Sequence, residues 1–175
     1  MTTAYIVAGP ESSGNRLVAA ILVRSGCLGE GSTDQPKSPH EVPQATQQPV
    51  VVIAHHNTND WINGIKQRGY SSVSVIVVIR EPIATVKSQV SRGHFADFAT
   101  AHDRRTRTIA DAINDTMTVG ADLHIITYEG LTEDALRAWL PSIGLAYRNG
   151  PLDLQGQDSP NWISNSNGKH YGGGE

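Results

Sequence analysis

A chain of 175 residues, 38% of them hydrophobic and 18% charged, is long enough to enclose a core without a disulfide staple. Its formal charge of −3 argues against a general nucleic-acid or membrane-surface binder, which usually carries a broad basic face, so any polyanion has to be held by a local cluster. The lone cysteine, Cys27, excludes an intramolecular disulfide, gives no support to a thiolate zinc site, and reads as a small apolar residue closing the first helix. No apolar run approaches the roughly 20 residues that cross a bilayer, and the start Met-Thr-Thr-Ala-Tyr lacks a basic n-region, so the expected compartment is the cytoplasm.

The first predicted strand, Tyr5 to Ala8, runs through Gly9-Pro-Glu-Ser-Ser-Gly14 straight into an apolar helix over Arg16 to Ser25. Strand, small-residue loop and helix N-terminus in that order make a phosphate cradle, because backbone N–H groups there hold an anion almost regardless of side chain. The candidate cradle residues are Pro10, Glu11, Ser12, Ser13, Gly14, Asn15 and Arg16. Gly9 and Gly14 match the glycine spacing of the triphosphatase signature G-x-x-x-x-G-K-[ST], but Asn15 and Arg16 stand where its Lys and Ser or Thr belong.

Gly29 to Pro49, poor in large apolar side chains, reads as a mobile excursion of the length of a lid or binding loop. The second strand, Val50 to Ala54, ends in His55-His56-Asn57 before a helix over Thr58 to Arg68. The third, Val73 to Ile79, ends in Arg80-Glu81-Pro82 before a helix over Ile83 to Ser91. A long helix lies within Phe95 to Val119, and the fourth strand, Leu123 to Thr127, ends in Tyr128-Glu129. The last helix, Thr132 to Trp139, opens on a capping Thr followed by two acids and stops before Pro141.

The strands are continuously apolar, as in a parallel sheet covered on both faces, and they alternate with helices. That pattern predicts a three-layer α/β/α domain with a mainly parallel sheet of about four to five strands. A single domain over residues 1–175 is expected, with a flexible loop at 29–49 and a polar segment at 149–175, part of which is expected to dock through Trp162 and Tyr171. Ligands of such sheets bind outside the strands' carboxyl ends, so the four strand-end segments should share one crevice.

A neutral imidazole there suits the removal of a hydroxyl proton, and either His56 or His55 could act. Adjacent residues at a strand end diverge, which disfavours a paired-histidine metal site, and no metal is expected. Arg104, Arg105 and Arg107, with His94 and His102 nearby, form either a solvated face or a contact for an anionic acceptor. Trp61 and Trp139 read as packing residues.

Together these strand ends resemble the sulfotransferase family, whose members move a sulfonate group from 3'-phosphoadenosine 5'-phosphosulfate to a hydroxyl or amine. The resemblance spans about Tyr5 to Tyr171 and implies a P-loop NTPase-like fold. Ser12-Ser13-Gly14-Asn15-Arg16 corresponds to the family's 5'-phosphosulfate loop, which commonly ends Lys or Arg, Ser-Gly-Thr-Thr. Arg80-Glu-Pro82 with Ser88 matches the family's Arg-x-Pro and later Ser, implying that Arg80 and Ser88 bind the 3'-phosphate. His56 falls on the register of the family's general base, with Ala54 where a Lys would stand, and Tyr128-Glu-Gly-Leu131 resembles a fold marker. Lys169, beside Gly168, is similar to a late basic cofactor contact.

On this resemblance the donor is 3'-phosphoadenosine 5'-phosphosulfate, the product 3'-phosphoadenosine 5'-phosphate, and the acceptor a small molecule or carbohydrate. No nucleic-acid or membrane partner is expected, and the oligomeric state is not legible. Arg16 or Lys87 has to supply the charge of the missing lysines, because negative charge builds on the leaving oxygen. Glu11 repels a polyanion unless it turns outward or pairs with Arg16. Two alternatives stand beside this: a degenerate member of the same fold that binds a nucleotide or partner without transfer, and a small P-loop kinase.

Overall fold

A computed structural model describes residues 2–29 and 36–148. Four strands, β1 (Thr3–Ala8), β2 (Val50–Ala54), β3 (Ser72–Ile79) and β4 (Asp122–Thr127), form one all-parallel sheet in the order β2-β1-β3-β4. Successive side chains point to opposite faces, so each strand feeds two cores. Tyr5, Val7, Val51, Ile53, Ile76 and Val78 pack with α1 (Asn15–Arg24) and α5 (Glu133–Ser142). Ala4, Ile6, Val52, Val75 and Val77 pack with α2 (Thr58–Gln67) and α4 (Phe98–Val119). The result is the expected three-layer α/β/α arrangement, with α3 (Pro82–Ser91) seated against α4.

Burial explains the strand compositions. β2 is buried along its whole length, as its apolar run predicts, whereas β4, at the edge of the sheet and paired only with β3 among the described residues, is exposed or half-buried throughout and is not the buried strand expected of Leu123 to Thr127. Trp61 is buried among the α2 core residues and Trp139 packs half-buried against the other core, as their helical positions suggested. Cys27 is also buried, and burial pushes its thiol up to about 12.

Three segments depart from the sequence expectation. Helix α5 continues through Pro141 to Ser142. A proline in the last turn forfeits a single N–H bond, and the turn is held by Gly144 N–H to the Pro141 carbonyl and by Tyr5 Oη to the Ile143 carbonyl. Residues 36–49 are not a free excursion: they carry a 3-10 turn at Pro39–Glu41 and bury Val42 completely. Arg68 Nε donates to the Val42 carbonyl at 2.8 Å, and Gln48 Nε2 to that of Gly26 at 2.9 Å. Arg105 belongs to no solvated face, since it is buried and donates to the Arg80 carbonyl at 3.0 Å. Arg104 is exposed, and Arg107 pairs with Asp103 at 2.9 Å one turn earlier.

Among the described residues no helix is long and apolar enough to cross a membrane.

Candidate functional site

All four strands point the same way, so the segments after β1, β2, β3 and β4 emerge on one rim of the sheet. The first of them, Gly9–Gly14, is shaped by glycine at both ends. Gly9 has φ +140°, and a Cβ there would lie 2.7 Å from the Val78 carbonyl oxygen. Gly14 has φ +101°, and a Cβ there would overlap the Tyr128 ring. Gly14 has no side chain to cap α1 and the first turn carries no acid, so the positive end of that helix meets the rim.

Inside the loop the polar side chains brace the backbone. Ser13 Oγ, fully buried, donates to the Pro10 carbonyl at 2.6 Å and lies 3.0 Å from Asn15 Oδ1. Asn15 Nδ2 donates to the carbonyls of Gly9 at 2.9 Å and Pro10 at 3.3 Å. The residue at the triphosphatase lysine position therefore turns inward.

From the other flank, β3 and α3 grip the same loop. Arg80 Nη1 donates to the Ser12 carbonyl at 3.2 Å, with its guanidinium 4.8 Å from the Tyr128 ring centre. Arg92 Nη1 donates to Ser12 Oγ at 3.2 Å and Gln89 Nε2 to the Glu11 carbonyl at 2.9 Å. These contacts accompany a left-handed φ of +67° at Ser12, which a non-glycine residue adopts at a cost. Glu11 Oε2 lies 3.1 Å from His94 Nδ1, so its side chain turns toward the α3–α4 connection. The N–H groups of the first turn of α3 are taken up by Glu81, whose carboxylate accepts from Ile83 N and Ala84 N and is held below the usual range by those bonds.

A cavity of about 520 Å³ opens beside this loop, beyond the end of β2. Arg16, Lys37, His55, His56, Asp60 and Trp61 line it. Arg80 and Ser88 do not: Arg80 is turned onto the loop, and the half-buried Ser88 offers its carbonyl to Ser91 Oγ and Arg92 N. Lys87 is exposed on α3 and is also absent from the lining. The rim thus divides into a β3 side that clamps the loop and a β2 side that stays open. Lys169, Trp162 and Tyr171 lie outside the described residues.

The two histidines differ. His55 is half-buried with Nδ1 3.5 Å from Asn15 Nδ2, and its pKa is lowered from the ordinary 6.5. Burial is the main cause; Glu11 and a hydrogen bond with the Gly9 backbone oppose it, while His56 and Arg16 add to it. His55 is therefore neutral at pH 7. His56 is exposed and faces the same cavity. No group of three metal-ligating His, Cys, Asp or Glu side chains occurs among the described residues.

Sequence reasoning missed Lys37 and Asp60. For Lys37 the available signal was the pair Pro36 and Pro39, which fixes the backbone around it.

No model of a known protein family matches the chain, and no curated protein sequence matches it. A cavity of about 520 Å³ is in the usual range for a small-molecule site. Arg16 and Lys37 suit a sulfate or phosphate group, and the histidines suit a proton acceptor.

Proposed function

We propose that this chain transfers a sulfonate group from 3'-phosphoadenosine 5'-phosphosulfate to a hydroxyl or amine of a small or carbohydrate acceptor held in the β2-side cavity. The observation that carries this reading is the meeting of Arg16, Lys37, His55 and His56 on one cavity beside the positive end of α1. His56 accepts the acceptor's proton as the acceptor oxygen bonds to sulfur. The bridging S–O bond breaks and 3'-phosphoadenosine 5'-phosphate leaves with the electron pair. His55, kept neutral by burial, is positioned through Asn15 against the loop and is the alternative base. Arg80 clamps the loop through the Ser12 carbonyl with Nη1, and its remaining N–H groups keep the 3'-phosphate role that the resemblance implies.

Transfer of labelled sulfonate to a panel of sugars and small alcohols tests the assignment. His56→Ala is expected to lower turnover by about 100-fold or more while affinity for 3'-phosphoadenosine 5'-phosphate stays within about twofold. Equal turnover in His56→Ala and wild type removes His56 from the base role, and turnover that is lost only in His55→Ala assigns it to His55.

One observation favours a second reading, a binding protein of the same fold without transfer. Asn15 occupies the lysine position and spends its amide on the loop's own carbonyls. A thermal shift with 3'-phosphoadenosine 5'-phosphate in a protein that transfers nothing selects this reading, and a shift with ATP and magnesium alone selects a kinase-like ligand instead.

A further inference from the structure

Asn15 in the loop and Ala54 at the end of β2 leave both expected lysine positions without a cation. Lys37 approaches the cavity from a different part of the chain, on the strap that precedes β2. That strap is pinned to α2 and its C-terminal end in two places and braced within itself by a third contact. Pro39 rests on Gly64 of α2 so closely that a Cβ on Gly64 would overlap its ring. Val42 is fully buried and its carbonyl takes the Arg68 Nε–H at 2.8 Å. The Glu41 carboxylate accepts the Lys37 backbone N–H at 2.8 Å.

A pinned backbone leaves only the lysine side chain to be ordered when an anion arrives, which lowers the entropic cost of binding. Arg16, in the first turn of α1, brings a second cation to the same cavity together with the positive end of its helix. Asp60 is the one carboxylate among the described lining residues and stands in the first turn of α2. It disfavours an anion on the α2 side and leaves that side to a hydroxyl-bearing group.

We infer that Lys37 and Arg16 form a two-cation subsite for a sulfonate or phosphate group at the end of β2, with the strap supplying the cation that position 15 lacks. This rests on the cavity being the transfer site of the proposed function. Gly64 becomes a positioning residue, since the strap's seat on α2 sets where Lys37 stands.

Titration calorimetry with inorganic pyrophosphate and, separately, with 3'-phosphoadenosine 5'-phosphate tests the subsite in wild type, Lys37→Ala, Lys37→Arg and the exposed control Lys66→Ala. Loss of a charge-assisted contact is expected to weaken both ligands by about tenfold in Lys37→Ala, with Lys37→Arg recovering most of it and Lys66→Ala unchanged. Gly64→Ala, which displaces the strap at Pro39 while leaving Lys37 and Arg16 in the sequence, should weaken binding in the same direction. Wild-type affinity in Lys37→Ala overturns the subsite and leaves the transferase reading standing. Lys37-dependent binding of pyrophosphate without any affinity for the adenosine ligand upholds the subsite and overturns the transferase reading. Failure of wild type to bind either probe overturns both.

Discussion

His55 and His56 are adjacent in sequence and unlike in environment, and the difference has a measurable sign. The folded pKa of His55 lies below its ordinary 6.5, chiefly through burial. As pH falls through 6.5 the unfolded chain takes up a proton at this residue before the folded chain does, so stability present above that pH is lost until the folded pKa is passed. Urea denaturation at pH 7.5 and at pH 5.5 should therefore show wild type losing more stability than His55→Asn. An equal loss in both would mean that burial does not govern this imidazole. Cys27 tells a related story, because a buried thiol raised to about 12 is protonated and shielded. Iodoacetamide at pH 8 is expected to label it only as fast as the chain opens. Both residues were visible in the sequence, yet neither the half-burial of His55 nor the exposure of His56 was, since adjacent positions at a strand end share the same local pattern.

The loop between β1 and α1 shows how far an element can be read from composition. Its two glycines, its small residues and its place before a helix were legible because backbone stereochemistry is local. The inward turn of Asn15 and the approach of Tyr128 were not. Gly14→Ala places a methyl against that ring and forces a left-handed φ on alanine, so a loss of about 2–4 kcal/mol in urea denaturation is expected. Arg80→Ala removes the bond to the Ser12 carbonyl and the contact with Tyr128, and should cost about 1–2 kcal/mol even without any ligand. An Arg80→Ala protein of unchanged stability would contradict the clamp. The pattern Arg80-Glu-Pro82 followed by Ser88 correctly sets a strand-to-helix junction, but the guanidinium's partner lies 68 residues away in the chain. Likewise the polar composition of 36–49 hid a strap whose attachment depends on Gly64 and Arg68 of a later segment.

For the molecule as a whole, two cores on either side of one parallel sheet carry the stability. Ile6 is fully buried on β1, a central strand with neighbours on both sides. Ile6→Ala is expected to cost about 2–5 kcal/mol, a large share of the roughly 5–15 kcal/mol that domains possess, with thermal denaturation as the readout. The sheet order puts β1 beside both β2 and β3, so the crevice expected from topology lies at the ends of β1 and β3. Arg80 closes onto the loop on the β3 side, and the open cavity is displaced to the β2 side, toward the histidines and Lys37.

By itself the amino-acid sequence determined the alternation of apolar strands and helices, the parallel α/β class and the rim on which polar groups collect, because hydrophobic periodicity and turn chemistry act over a few residues. Which of those polar groups clamp the loop and which line a cavity was decided only by the tertiary structure. That choice depends on packing between segments far apart in the chain, as when Arg80 closes on Ser12 and the strap at Pro39 settles against Gly64, with Lys37 lining the same cavity as Arg16 and His55.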